Sequence, residues 1–159
     1  MTAGRCSMGD ARRAEARRAA IVAAARGWLG TPYRHQASAR GAGADCLGLV
    51  RGVWREVIGP EPETPPAYTP EWLEVSREER LFEACERLMR RIPPGEAQAG
   101  DVLLFRMRAR GPAKHLGILV ETGGDEPRMI HAYSGRGVVG SSLGPSWQRR
   151  IAAAFSFPE

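Results

Sequence analysis

Apolar residues fall three to four apart in the first part of the chain, then alternate or run together in short stretches. From Ala11 to about Leu29 the sequence is rich in Ala and Arg, which are strong helix formers, and Gly30-Thr31-Pro32 stops the run. Arg34 to Ala44 is a polar, glycine-rich loop that leads straight into Asp45-Cys46. Beyond it Cys46, Leu49, Val50, Val53, Trp54, Val57 and Ile58 build one apolar stripe, which predicts a second helix ended by Gly59-Pro60. Asp45 is a good N-cap type, because its carboxylate can accept the unpaired amide hydrogens of the first turn. Gly48 and Gly52 each cost this helix about 1 kcal/mol of propensity. Their presence predicts a neighbouring backbone, such as a sheet, packed closely on that face.

Pro60 to Pro70 reads as a stiff surface connector. A third helix is expected from about Glu79 to Arg91, with Leu81, Phe82, Cys85, Leu88 and Met89 on one face, before Pro93-Pro94-Gly95 breaks the chain. Five strands follow: Asp101 to Met107, His115 to Glu121, Arg128 to Tyr133, Val138 to Ser142 and Ile151 to Phe157. Helices first and consecutive strands after them predict an α+β fold, an antiparallel sheet covered by N-terminal helices.

The 159 residues suit one domain over 1–159, with 1–10 a loose start, and 43% hydrophobic content is ordinary for a globular chain. No apolar stretch approaches the roughly 18–20 residues that cross a bilayer, so membrane insertion is not expected. Ala19 to Ala25 follows arginines and faintly resembles a secretory signal, but Arg26 closes it and Asp10 and Glu15 lie upstream. It is read as part of the first helix, which leaves the chain without a convincing signal peptide. The net charge is +5, carried by arginine with Lys114 as the only lysine. That balance suits a polyanionic surface such as a bacterial cell wall. Without zinc-finger spacing or an aromatic-basic repeat, nucleic acid is not the expected partner.

Cys6, Cys46 and Cys85 are too few and too irregular for a disulfide framework or a zinc site, so no metal or cofactor is expected. Cys85 lies on a helix stripe and reads as a small core residue. Cys46 is different. It follows a glycine-rich approach and an N-cap, where helix-start amides favour a thiolate over the thiol that dominates near an ordinary pKa of about 8.5. A small buried residue is the bland alternative; the combination of features favours a nucleophile. A base must then come from His35, His115 or His131. His35 lies in the loop before Cys46, and His115 opens an apolar strand. His131 shares a sheet face with Met129, opposite Ile130 and Ala132. One histidine could orient another, and the residues alone leave the assignment open.

The ordered strings GTPY (30–33), ADCLGLV (44–50), GDVLLF (100–105), KHLGILV (114–120) and MIHA (129–132) resemble the NlpC/P60 cysteine peptidases. The longer strings TPYRHQAS, DCLGLVRGVWRE and IHAYSGRGVV resemble the branch of cell-wall peptidases found in phages and gene transfer agents. The resemblance runs from about Trp28 to Phe157. It implies a papain-like α+β fold with Cys46 as nucleophile, His115 as general base and His131 as the residue that orients it. It further implies that Tyr33 lines the site and that Asp45 binds the free amine of a peptidoglycan stem peptide. The bond implied is the D-γ-glutamyl–diamino-acid amide, and no metal takes part. Action at the periplasmic wall, after cytoplasmic synthesis and carriage on a phage-like particle, is the implied setting, with tail proteins as further partners. The alternatives are a wall-binding structural component that has lost turnover, and an acyltransferase on the same scaffold. Two departures bear on specificity: Leu47 stands where the family often has serine, and Arg34-His35-Gln36 replaces an aromatic and glycines.

Overall fold

The computed structural model describes residues 7–65 and 79–159; positions 1–6 and 66–78, which include the end of the proline-rich connector, lie outside the described residues. Helix α1 spans Met8–Gly27, three residues earlier than the composition suggests. A capping box explains the start: Ser7 Oγ accepts from the Asp10 amide at 3.1 Å, and the Ser7 amide donates to the Asp10 carboxylate at 3.2 Å. The glycine-rich loop folds into a small antiparallel hairpin, β1 (Ser38–Ala39) with β2 (Gly43–Ala44), and Ala44 also bridges to Tyr33.

Helix α2 covers Cys46–Val53 and passes into a π-helical turn, Trp54–Ile58, closed by the Gly59 amide on the Trp54 carbonyl at 3.0 Å. The two glycines of α2 do mark close approach, but not to the sheet. A Cβ at Gly48 would stand 1.8 Å from the Ala37 carbonyl oxygen, and one at Gly52 would stand 2.0 Å from the Trp28 ring. The site helix is thereby clamped between the hairpin loop and the buried indole that follows α1.

Helix α3 spans Arg80–Leu88, shorter than expected, because Arg90–Ile92 forms strand β3 instead. This strand pairs with Ser156–Ala154, a non-local contact that helical periodicity around Cys85 does not reveal. After a 3-10 turn come β4 (Val102–Phe105), β5 (His115–Glu121), β6 (Arg128–Tyr133), β7 (Gly137–Ser142), the one-turn helix α4 (Pro145–Gln148) and β8 (Ile151–Ser156). The six-stranded sheet runs β3-β8-β4-β5-β6-β7, antiparallel throughout, as the α+β reading expects.

Alternation along the strands divides the apolar residues between two faces. Leu104, Leu116, Ile118, Ile130, Ala132 and Phe155 pack under the helices with Ile21, Trp28, Leu49, Val53 and Cys85. Leu103, Phe105, Leu119, Met129 and Ala154 face the other way and are covered by Leu143, Ile92 and Trp147. Among the described residues no helix is long and apolar enough to cross a membrane.

Candidate active site

The site is assembled where the N-terminus of α2 meets the first residues of β5. Asp45 is the N-cap, as its residue type predicts, and both carboxylate oxygens are engaged: Oδ1 accepts from the Gly48 amide at 2.7 Å and Oδ2 from the Gln36 amide at 2.8 Å. Gln36 adopts a positive φ of 64° to present that amide, so the loop and helix start are locked together by one buried side chain. Any role for Asp45 toward a substrate amine must share a carboxylate that already holds two backbone amides. His35 stands beside it, with Nδ1 at 3.9 Å from Oδ2.

Cys46 opens the helix and is partly accessible. Its Sγ lies 3.8 Å from the Lys114 carbonyl, immediately before His115. Burial pushes the thiol up to about 12, and the neighbouring Asp45 carboxylate pushes in the same direction. The amides of Leu116, Leu47 and Cys46 itself oppose this shift without overcoming it. The helix start therefore supplies the expected thiolate-favouring amides, yet desolvation wins in the resting state.

His115 and His131 are adjacent on β5 and β6 and both are buried. His115 Nε2 lies 2.7 Å from His131 Nδ1, and His131 Nε2 lies 2.8 Å from Ser141 Oγ. Burial, followed by the charges that His131 and Lys114 would carry, holds His115 down to about 3; burial holds His131 down to about 4. Neutral rings fit these distances with the protons running in either direction, because the Ser141 hydroxyl can donate or accept, and a base at His115 requires the following one. His115 Nε2–H donates to His131 Nδ1, His131 Nε2–H donates to Ser141, and His115 Nδ1 keeps its lone pair. That lone pair is what a general base requires.

The rings are wedged among aromatics on the sheet face away from the helices. Trp147 lies 5.6 Å from His115 and 5.2 Å from His131, centroid to centroid, and Phe105 lies 5.9 Å from His115. Tyr33, by contrast, shares a cavity of about 450 Å³ with Asp45 and Cys46 on the helix side. Its hydroxyl is pushed up to about 12, by burial first and then by Cys46 and Asp45, so it stays a neutral donor.

The residues singled out in the sequence thus gather at one place: Cys46, Tyr33 and Asp45 on the cavity side of the β5 start, His115 and His131 on the other. Ser141 and Trp147 escaped the sequence reading. Ser141 sits one strand over, opposite Met129, and that register depends on the turn between β6 and β7. Among the described residues no group of three His, Cys, Asp or Glu side chains is placed to hold a metal ion.

Because both imidazoles are neutral and buried, acid favours the unfolded chain, whose histidines take up protons near the ordinary value of 6.5. The stability they contribute is complete above that value and declines as pH falls through it toward about 4. The melting temperature should therefore drop by roughly 5 °C or more between about pH 7 and pH 4, and by less in His131→Asn. A melting temperature flat over this window would contradict buried neutral rings.

Comparison with known proteins places the geometry in context. The model of the NlpC/P60 family matches residues 30–156. No curated protein matches the chain. Among solved structures, the chain is similar to the NlpC/p60 domain of the peptidoglycan hydrolase SagA, with 26% identity and a TM-score of 0.61 over 88% of this chain and 98% of that one. It shares its fold with an NlpC/P60 family protein from Bacillus cereus ATCC 10987, at 21% identity and a TM-score of 0.61, over 88% of this chain but only 40% of the other. It also shares it with an NLP/P60 protein, similar to lipoprotein, from Staphylococcus aureus subsp. aureus Mu50. That match has 21% identity and a TM-score of 0.60, over 91% of this chain and 42% of the other.

Proposed function

The chain belongs to the NlpC/P60 family, and on that premise we propose that it is a cysteine peptidase that cleaves peptidoglycan stem peptides at the D-γ-glutamyl–diamino-acid amide. The observation that carries the reading is the hydrogen-bonded series His115–His131–Ser141, which begins at the residue after Lys114, the carbonyl that the helix-start Cys46 Sγ meets at 3.8 Å. The likeness to the domain of a peptidoglycan hydrolase supports the substrate class.

In the proposed reaction Sγ turns from the Lys114 carbonyl toward His115 Nδ1 and gives up its proton as it attacks the amide carbon. The helix-start amides, with the Tyr33 hydroxyl, stabilise the oxyanion. His115 then passes the proton to the leaving amine as the C–N bond breaks. Water adds to the thioester, the C–S bond breaks, and Sγ recovers a proton as the carboxylate departs. His131 fixes the tautomer throughout. Lys114, the arginine-rich surface and the strings shared with the phage and gene-transfer-agent branch support action at the wall, delivered on a tail-like particle.

Mass spectrometry of sacculi digested with the protein tests this. Products newly ended at the γ-glutamyl carboxyl and the diamino-acid amine are expected. Intact muropeptides, with iodoacetamide showing no preference for Cys46, would overturn it. One observation favours the non-catalytic alternative, a wall-binding particle component: the resting thiol is directed to a backbone carbonyl. That alternative predicts sacculus binding with no new termini at any pH.

A further inference from the structure

At the end of the sheet away from Cys46, helix α1 lies against the start of β4. Gly100, at a φ of 98°, permits this approach, since a Cβ there would stand 3.2 Å from the Arg18 Cα. Beside the contact a cavity of about 360 Å³ opens between α1, β3 and residues 156–159. Ile21 and Phe157 supply apolar wall, and the charged lining consists of Arg17, Arg18, Arg90, Asp101 and Glu159. Strand β4 runs from this end to Phe105, the partner of His115, so the cavity stands roughly 15 Å from that histidine.

The charges in this lining do not cancel in pairs. Asp101 is buried and fully engaged. Its Oδ1 accepts from Arg18 Nη1 at 2.6 Å and from Ser156 Oγ at 2.7 Å, and its Oδ2 accepts from the Gln98 amide at 2.8 Å. Arg18 and Asp101 therefore neutralise each other and form a fixed floor. Among the described residues, Arg17 and Arg90 form no ion pair, and neither does Glu159 at the exposed mouth. Arg17 Nε is moreover buried without any hydrogen-bond partner. A buried donor of a charged group left unpaired is costly, and two uncompensated guanidiniums around one cavity repel each other. An anion between them relieves both.

We propose that this cavity is a second binding site, which takes a phosphate-type oxyanion between Arg17 of α1 and Arg90 of β3. The planar fork of a guanidinium matches the edge of a phosphate, and each arginine can engage a different pair of oxygens. Phosphate suits the site better than carboxylate, because its tetrahedral oxygens meet donors from a helix and from an edge strand at once, whereas a carboxylate offers one planar edge. The group can belong to free phosphate or to the backbone of an anionic polymer. The site stands apart from the cysteine chemistry and shares no lining residue with the cavity at Cys46. On a polymer it is a foothold that leaves the catalytic end of the sheet open.

Titration of inorganic phosphate into the full chain, followed by proton–nitrogen correlation spectra, tests the site, with sodium chloride adjusted to hold the ionic strength constant. The Arg17 Nε–H signal should shift saturably, together with the backbone amides of Gly100 and Phe157. Arg17→Gln and Arg90→Gln should each raise Kd by about tenfold or more. Arg90 is exposed on an edge strand, so its variant reads binding even where Arg17→Gln disturbs the helix. Arg12→Gln removes the same charge from an exposed position of α1 and should leave Kd within about twofold, with thermal melts verifying folding in each case. Dimethyl phosphate, titrated in parallel, separates the two sources. Saturable binding of the diester assigns the site to a polymer backbone, and binding of inorganic phosphate alone assigns it to a free or terminal phosphate. A drift that never saturates, an equal effect of all three substitutions, or acetate bound as tightly as phosphate would overturn the proposal.

Discussion

Replacing Cys46 by alanine is expected to lower hydrolysis of stem peptides by on the order of ten-thousand-fold or more, to the level of the uncatalysed reaction plus whatever positioning alone supplies. The size follows from what the sulfur does. It forms the covalent intermediate, so no other group can take over its step. Cys46→Ser should be nearly as inactive, although serine fits the space and keeps a hydroxyl near the Lys114 carbonyl. A hydroxyl is a far weaker acid than a thiol, and the thiol here already starts from about 12. The neutral imidazole of His115 has to remove its proton during attack, and it cannot do the same for an alcohol at useful speed. Liquid chromatography of muropeptide digests, run with equal amounts of folded wild type and both variants, reads the effect. Retention of a tenth of the wild-type rate by Cys46→Ala would remove Cys46 from the role of nucleophile.

Much of this arrangement was legible in the sequence because it depends on local rules. The Asp45 cap, the start of α2 at Cys46 and the bounds of β5 and β6 follow from capping chemistry and from apolar alternation, which act over a few residues. The placement of His131 with Met129, opposite Ile130 and Ala132, followed from the period of two and is what divides the two faces of the sheet. What escaped depends on pairing between distant parts of the chain. Strand β3 exists because Arg90–Ile92 meets the end of β8, and nothing within the tripeptide announces that partner. Ser141 joins the histidines only through the β6–β7 register, and Trp147 only through a one-turn helix that follows it. The thiol shift was misjudged for a related reason. A helix start can be read from sequence, whereas the burial that desolvates Sγ is a property of the packed fold.

That packing also fixes what His131 contributes. His131→Ala should reduce kcat by roughly a hundred- to a thousand-fold, with KM nearly unchanged, because the residue positions the base rather than contacting the substrate. Without Nδ1 as acceptor at 2.7 Å, His115 is no longer held in the tautomer that leaves its own Nδ1 bare. Its ring can also turn within the gap left beside Trp147. His131→Asn separates orientation from simple loss of bulk. Its carboxamide oxygen lies close to where Nδ1 stood and can accept the same hydrogen from His115 Nε2, although the bond to Ser141 is lost. The asparagine variant should therefore keep activity within about tenfold of wild type, since it restores the one hydrogen bond that sets the tautomer. A cavity-only account predicts the opposite order of importance: asparagine, smaller and more polar than the imidazole, would leave nearly the same void and recover little. Equal kcat values for the alanine and asparagine variants would show that His131 fills space. A recovery confined to asparagine would identify it as the residue that holds His115 ready to take the proton from Cys46.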